Sequence, residues 1–296
     1  MKRTLFYLAG LLSLASVAKA NLNVINGTFE AIDISAQHFT AVWQNAPYLK
    51  KKQSPQVVTL YRNTPIWGGC SGNRGVGNRG HVEGSQWCSY TNTISLVVEQ
   101  LQDIYSRYED GAIFYVVAHE FAHAFQTYNR QTYQWTRLPD PMNELQADCY
   151  AGMFARSAEK KLKIDLKDYF EMAGAAYYVG SSSSKTHGRP TQRRHALLLG
   201  SGFFKRTSCE VKDIQSIAYA SDSELERRYL SLFGSPSLGI NSLKSNSFKS
   251  GPSYKNSISD FTKEPVSESN NIISDSHVPS KFLRVFEKLI QTFKTN

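Results

Sequence analysis

The run Val116-Val117-Ala118-His119-Glu120-Phe121-Ala122-His123 constrains this chain more than any other stretch, because it sets HExxH inside an apolar segment free of Gly and Pro. A helix brings residues four apart to one face, so His119 and His123 project together. Two imidazoles at that spacing can share a zinc ion, and Glu120 beside them can take a proton from the metal's water. Two surface histidines and a solvated glutamate would give the same letters. Against that stands the apolar character of nearly every side of the helix, where a buried His-Glu-His set without a partner would be costly.

The first twenty residues read as a secretory signal, giving a mature chain from Asn21. Lys2 and Arg3 are followed by an apolar run from Leu5 to Val17 and a small-x-small site at Ala18-Lys19-Ala20. The run is shorter than the roughly 20 residues of a membrane span. Position 21 is Asn rather than Cys, so no lipoprotein signal is present, and the expected location is periplasmic or secreted. Losing Lys2, Arg3 and Lys19 lowers the formal charge from +9 to +6. That modest excess forms no basic stripe or motif, which argues against a nucleic-acid partner.

Four cysteines in an exported chain point to disulfides, with three pairings open. The favoured one joins Cys70 to Cys88, closing the Gly-rich loop Gly68 to Gly84, and Cys149 to Cys209. Thiolate ligation of zinc is disfavoured because no CxxC spacing occurs.

Along the chain, Phe39-Thr40-Ala41-Val42-Trp43 and Gln56 to Tyr61 alternate as strands do. The glycines of residues 66–88 suggest a phosphate loop, but no GK[ST] follows and no strand-to-helix setting frames them. Trp87 to Leu96 reads as a hairpin arm, and its Ser89 to Leu96 part as a candidate edge strand to which an extended peptide could add. Helices are expected over Val97 to Tyr108, Ala112 to Tyr128, Met142 to Lys160 with Asn143 or Asp140 as cap, Leu166 to Val179, and Pro190 to Phe204. Glu109-Asp110-Gly111 separates the first two. Residues 21–240 form the expected catalytic domain. Residues 241–280 are rich in Ser, Asn and Lys and read as disordered linker. Residues 281–296 carry an amphipathic stripe, Phe282, Val285, Phe286, Leu289, Ile290 and Phe293, suited to docking on the core, a partner protein or a membrane surface.

A catalytic zinc takes three protein ligands and leaves one position open. HExxHxxGxxH is excluded, because Gln126 and Asn129 stand at its Gly and third His. Glu144 and Asp148 are one helical turn apart within Glu144-Leu145-Gln146-Ala147-Asp148, among apolar neighbours that direct them inward. Glu144 is therefore the expected third ligand. Asp148 is expected to accept the free ring N–H of a zinc-bound histidine, His119 being the first choice.

HEFAH with Gln126, then ELQADCYAG at residues 144–152 and THGRPTQRR at 186–194, resembles the bacterial neutral zinc metallopeptidases, whose pattern is close to AHExxHxxQ, LELQADCxAG and HGxxxQR. The likeness spans about Trp43 to Cys209 and includes Cys70 and the Trp87-Cys88 pair. More distantly the order of motifs is similar to HExxH proteases of the gluzincin clan. Gln192-Arg193-Arg194-His195-Ala196 departs from the family's usual continuation. The resemblance implies a disulfide framework like the one above. It also implies an α+β fold, a mostly helical gluzincin-like zincin core with a small β-sheet.

The chemistry expected is hydrolysis of a protein or peptide substrate, with one zinc per chain held by His119, His123 and Glu144 and with Glu120 as general base. His187 is the candidate donor to the oxyanion, since Gly188 permits a close turn and the family places a histidine there. A structural role for His187, or a seat on the open zinc position at rest, stays open, and Arg193 or Arg194 is expected to anchor the loop. A zinc amidase for non-peptide or cell-wall bonds is the rival enzyme, and an inactive zinc-binding or chaperone-like module the rival outside enzymes. An intact Glu120 argues against the latter.

Overall fold

The computed structural model describes residues 2–46, 49, 52–66, 70, 80–133, 137–180, 186–204 and 208–233, with backbone alone at 2–21, 80 and 131–133. Within them the chain is mostly helical, with a small three-stranded sheet and two disulfides. The linker expected at 241–280, the terminal helix at 281–296 and the Ser181 to Ser184 link lie outside the described residues, as does most of the Gly-rich loop.

The first helix, α1, covers Lys2–Asn45. Phe39 to Trp43, expected as a strand, is therefore helical. Thr28, Ala31, Ile32, Ser35, His38, Phe39 and Trp43 are buried in α1, a spacing of three and four rather than two. Phe39 packs its ring 5.0 Å from Phe121, 5.2 Å from Phe114 and 5.5 Å from Phe154. A five-residue window with apolar ends fits either period, and only the longer run separates them.

Strand β1 (Gln56–Leu60) starts as expected, and β2 (Pro65–Ile66) pairs antiparallel with β3 (Gly80–His81) in a short ribbon. The run from Trp87 to Leu96, expected as a single hairpin arm, is divided by a turn into strands β4 (Gln86–Cys88) and β5 (Thr93–Val97), which pair antiparallel with Trp87 opposite Ile94. β1 runs parallel to β5, so the sheet order is β1-β5-β4. This corrects the assignment of the edge: the arm after Ser89 becomes the central strand, with Ile94 to Val97 buried, and β4 is the edge.

Helix α2 (Val98–Tyr133) follows directly and bends at Glu109, where φ is 63° and ψ −154°. The break expected at Glu109-Asp110-Gly111 is thus present: Glu109 leaves helical geometry and divides the span into the two expected helices, which meet at a kink. The Gly111 N–H, freed there, donates to Glu171 Oε2 at 2.9 Å. Beyond the kink every residue from Gly111 to Gln126 is buried except the partly exposed His123. The HExxH helix is the axis of the domain because it has no polar face to give to water.

Helix α3 (Met142–Leu162) starts without either expected cap: Pro141 holds the N-cap position and no side chain caps it. The Pro139 and Pro141 carbonyls accept from Asn143 and Leu145 N–H instead, so the turn itself satisfies the open end. Helix α4 (Leu166–Tyr178) carries a capping box from Asp165 and Asp168. Helix α5 (Pro190–Gly200) opens on Pro190 as expected but stops short of Phe204. Helices α6 (Val211–Tyr219) and α7 (Asp222–Phe233) complete the order.

Helices α3 and α5 cross at two glycines. A methyl on Gly152 would stand 2.0 Å from the Leu197 carbonyl oxygen, and one on Gly200 would stand 1.8 Å from that of Cys149. Gly152→Ala and Gly200→Ala are each expected to cost about 1–3 kcal/mol or more, because the obstructing atoms are helix backbone that cannot rotate away. Chemical denaturation with disulfides intact checks this, and unchanged midpoints would show that the helices separate freely.

The disulfides join Cys70 to Cys88 and Cys149 to Cys209, the favoured pairing. Two such bonds suit an oxidising, extracellular or periplasmic environment. Among the described residues no helix is long and apolar enough to cross a membrane.

Candidate metal centre

The two histidines arrive from one face of α2 and Glu144 from the first turn of α3. The Nε2 atoms of His119 and His123 are 3.1 Å apart. Glu144 Oε2 is 3.3 Å from His119 Nε2, and its Oε1 3.4 Å from His123 Nε2. Donors bonded at about 2.0–2.1 Å in a tetrahedron are separated by about 3.3–3.4 Å. The three side chains therefore enclose a point that a small divalent cation would fit, and this trio could hold a metal ion.

Each imidazole is oriented from behind. His119 Nδ1 lies 2.8 Å from Asp148 Oδ1, and His123 Nδ1 lies 2.9 Å from Gln126 Oε1. With those N–H groups donated away, the Nε2 lone pairs turn toward the shared centre. Gln126 is held in turn, donating from Nε2 to the Asn143 carbonyl at 2.9 Å and to Gln146 Oε1 at 3.1 Å. Gln146 Nε2 then donates to the Cys209 carbonyl at 3.1 Å. The Cys149–Cys209 disulfide thus sits at the end of a hydrogen-bonded chain that starts on His123.

Asp148 is fully buried. It receives both Nε and Nη2 of Arg193 at 2.8 Å and the Tyr115 hydroxyl at 2.6 Å, and Arg193 Nη2 also donates to Tyr115 Oη at 2.9 Å. Burial favours the protonated acid, but Arg193 and His119 outweigh it and hold Asp148 below the ordinary range. Burial likewise pushes Glu144 up, and the His123 and His119 rings hold it far below the ordinary range. For His119, burial lowers the pKa while the Asp148 and Glu144 carboxylates raise it, with a net rise to about 9.

That rise gives a sign to metal uptake. Below about pH 9 the metal-free His119 ring carries a second proton, which must sit on Nε2 because Nδ1–H belongs to Asp148. A cation must displace it. Affinity is expected to fall about tenfold per unit as pH drops below 9, with about one proton released per ion bound at pH 7.5. Calorimetry in buffers of different ionisation enthalpy reads that number, and zero release would show that the ring binds from its neutral form.

The trio opens on a cleft of about 520 Å³ that also takes in Glu120, His187, Tyr115 and Arg193. Glu120 is 6% exposed and makes no hydrogen bond or ion pair with the described residues. His187 is exposed on the cleft wall, its Nδ1 3.0 Å from Thr186 Oγ1. At edge strand β4, Ser85, Gln86 and Trp87 also line the cleft, and Trp87 Nε1 donates to Thr127 Oγ1 at 3.2 Å, fastening β4 to α2.

Of the anchor residues expected, Arg193 reaches the buried carboxylate, whereas Arg194 pairs with Glu226 and lies over the Tyr229 ring. Sequence reasoning passed over Tyr115 and gave Gln126 no role. Tyr115 stands four residues before His119, and Gln126 three after His123, so helical spacing alone placed both on the metal face. No family model, curated protein or solved structure matches the chain.

Proposed function

We propose that the chain is a zinc metallopeptidase, gluzincin-like in its core, acting in the periplasm or outside the cell after loss of residues 1–20. The observation that carries this is the approach of the His119 and His123 Nε2 atoms to each other and to the two Glu144 carboxylate oxygens at 3.1, 3.3 and 3.4 Å, with a glutamate that has no partner among the described residues in the same cleft. His119, His123 and Glu144 would hold the ion. A zinc bound there activates a water at near-neutral pH and polarises a carbonyl.

Glu120 takes the proton of the attacking water on its carboxylate and returns it to the leaving amine. Asp148, through His119 Nδ1–H, and Gln126, through His123 Nδ1–H, keep the rings turned to the centre. His187 donates to the developing oxyanion from its free ring nitrogen, its exposed position letting it swing over a bound carbonyl. Edge strand β4 lies beside the cleft, where an extended substrate can add to its outer side.

The test is metal content and hydrolysis together. The mature chain is expected to carry about one zinc and to cleave peptides, and chelation should stop cleavage until zinc is returned. Glu144→Ala should lose both. Failure to bind zinc after reconstitution would sink the reading, and zinc without peptide cleavage would shift it toward an amidase for other bonds.

A further inference from the structure

The face of α2 that carries the histidines continues past them. Thr127 follows His123 by four residues and Arg130 by seven, two turns, so Arg130 sits about 10 Å further along nearly the same side. It is half-buried, lines the cleft, and donates to Thr127 Oγ1 at 2.8 Å. The segment before α3 brings Arg137 to the same cleft, which also takes in Asn143 and the ligand Glu144. Both arginines also border a recess of about 20 Å³ beside Gln126 and Gln146.

These two guanidiniums differ from the others of the core. Arg193 is matched by Asp148 and Arg194 by Glu226, whereas no carboxylate among the described residues pairs with Arg130. Arg137 has only Asp140, at 3.3 Å on the exposed side. Burial and the charge of Arg137 hold Arg130 below the usual arginine range, so the two sense each other without an anion between them. Among the described residues no carboxylate offsets the half-buried charge of Arg130. A planar donor fork open to a cleft matches the geometry of a carboxylate.

We propose that Arg130 and Arg137 form an acid-binding subsite of the metal cleft, selecting peptides that carry an Asp or Glu side chain at a fixed position to one side of the bond presented to the metal. This rests on the peptidase reading for its substrate class.

The experiment uses matched sets of capped peptides, one with a single glutamate and one with glutamine at each position in turn. Zinc-loaded wild-type protein is assayed for cleavage, and zinc-loaded Glu120→Gln protein for peptide binding by fluorescence anisotropy. The glutamate peptides are expected to be favoured about ten- to a hundredfold in kcat/KM and in affinity. Arg130→Gln should abolish that preference, Arg137→Gln should reduce it, and Arg130→Lys should restore part of it. Preference in binding without any cleavage would uphold the subsite and defeat the peptidase reading. Cleavage with no glutamate preference, or a preference untouched by Arg130→Gln, would overturn the subsite and leave the peptidase reading intact. No preference and no cleavage would overturn both.

Discussion

Glu120→Gln is expected to lower kcat for peptide hydrolysis by about 10²–10⁴ while zinc content stays at the wild-type level. The two effects separate because Glu120 follows His119 on α2 yet lies outside the trio that encloses the metal point. Its carboxylate has no cation or donor to satisfy among the described residues, so the amide leaves no partner there stranded. Size and shape are kept. What is lost is the capacity to accept a proton, and KM should change little because binding of the ground state does not use it. Elemental analysis beside steady-state kinetics reads both quantities, and activity within a fewfold of wild type would remove Glu120 from the chemistry.

Asp148→Asn is expected to destabilise the metal-free protein by about 3–5 kcal/mol, because Arg193 would then be buried without a counter-charge. It should also weaken zinc binding about 10–100-fold, since the His119 ring loses the acceptor that turns Nε2 inward. Arg193→Met leaves Asp148 with the His119 ring as a charged partner at 2.8 Å, so it is expected to cost less stability than Asp148→Asn. Combining the two should recover part of that stability, as neutral replacements of both partners often do, yet should leave the zinc affinity low. Denaturation in chelator measures the first effect, and a competitive zinc titration the second. If zinc affinity recovered along with stability in the double variant, Asp148 would be only a structural counter-ion.

The misread elements share a cause. Phe39 to Trp43 and the candidate caps Asn143 and Asp140 were judged on windows shorter than the structure that decides them. Helix α1 is recognisable only over Thr28 to Trp43, and the α3 end is satisfied by the Pro139 and Pro141 carbonyls, a feature of turn geometry rather than of composition. The edge of the sheet was misassigned because β1 and β5 pair in parallel across more than thirty intervening residues, a contact no local pattern announces.

What the sequence determined by itself is the part governed by helical periodicity: His119 and His123 on one face, Glu144 with Asp148 on another, Tyr115 and Gln126 in step with the histidines. The 3.6-residue turn places these relative to their neighbours whatever the rest of the chain does. The tertiary structure alone decided that α3 docks so that Glu144 comes within 3.3 Å of His119 Nε2, that Arg193 rather than Arg194 enters the core to hold Asp148, and that Arg130 and Arg137 line one cleft. Those outcomes depend on how closely the helices approach, which glycines such as Gly152 and Gly200 set through packing between segments far apart in the chain.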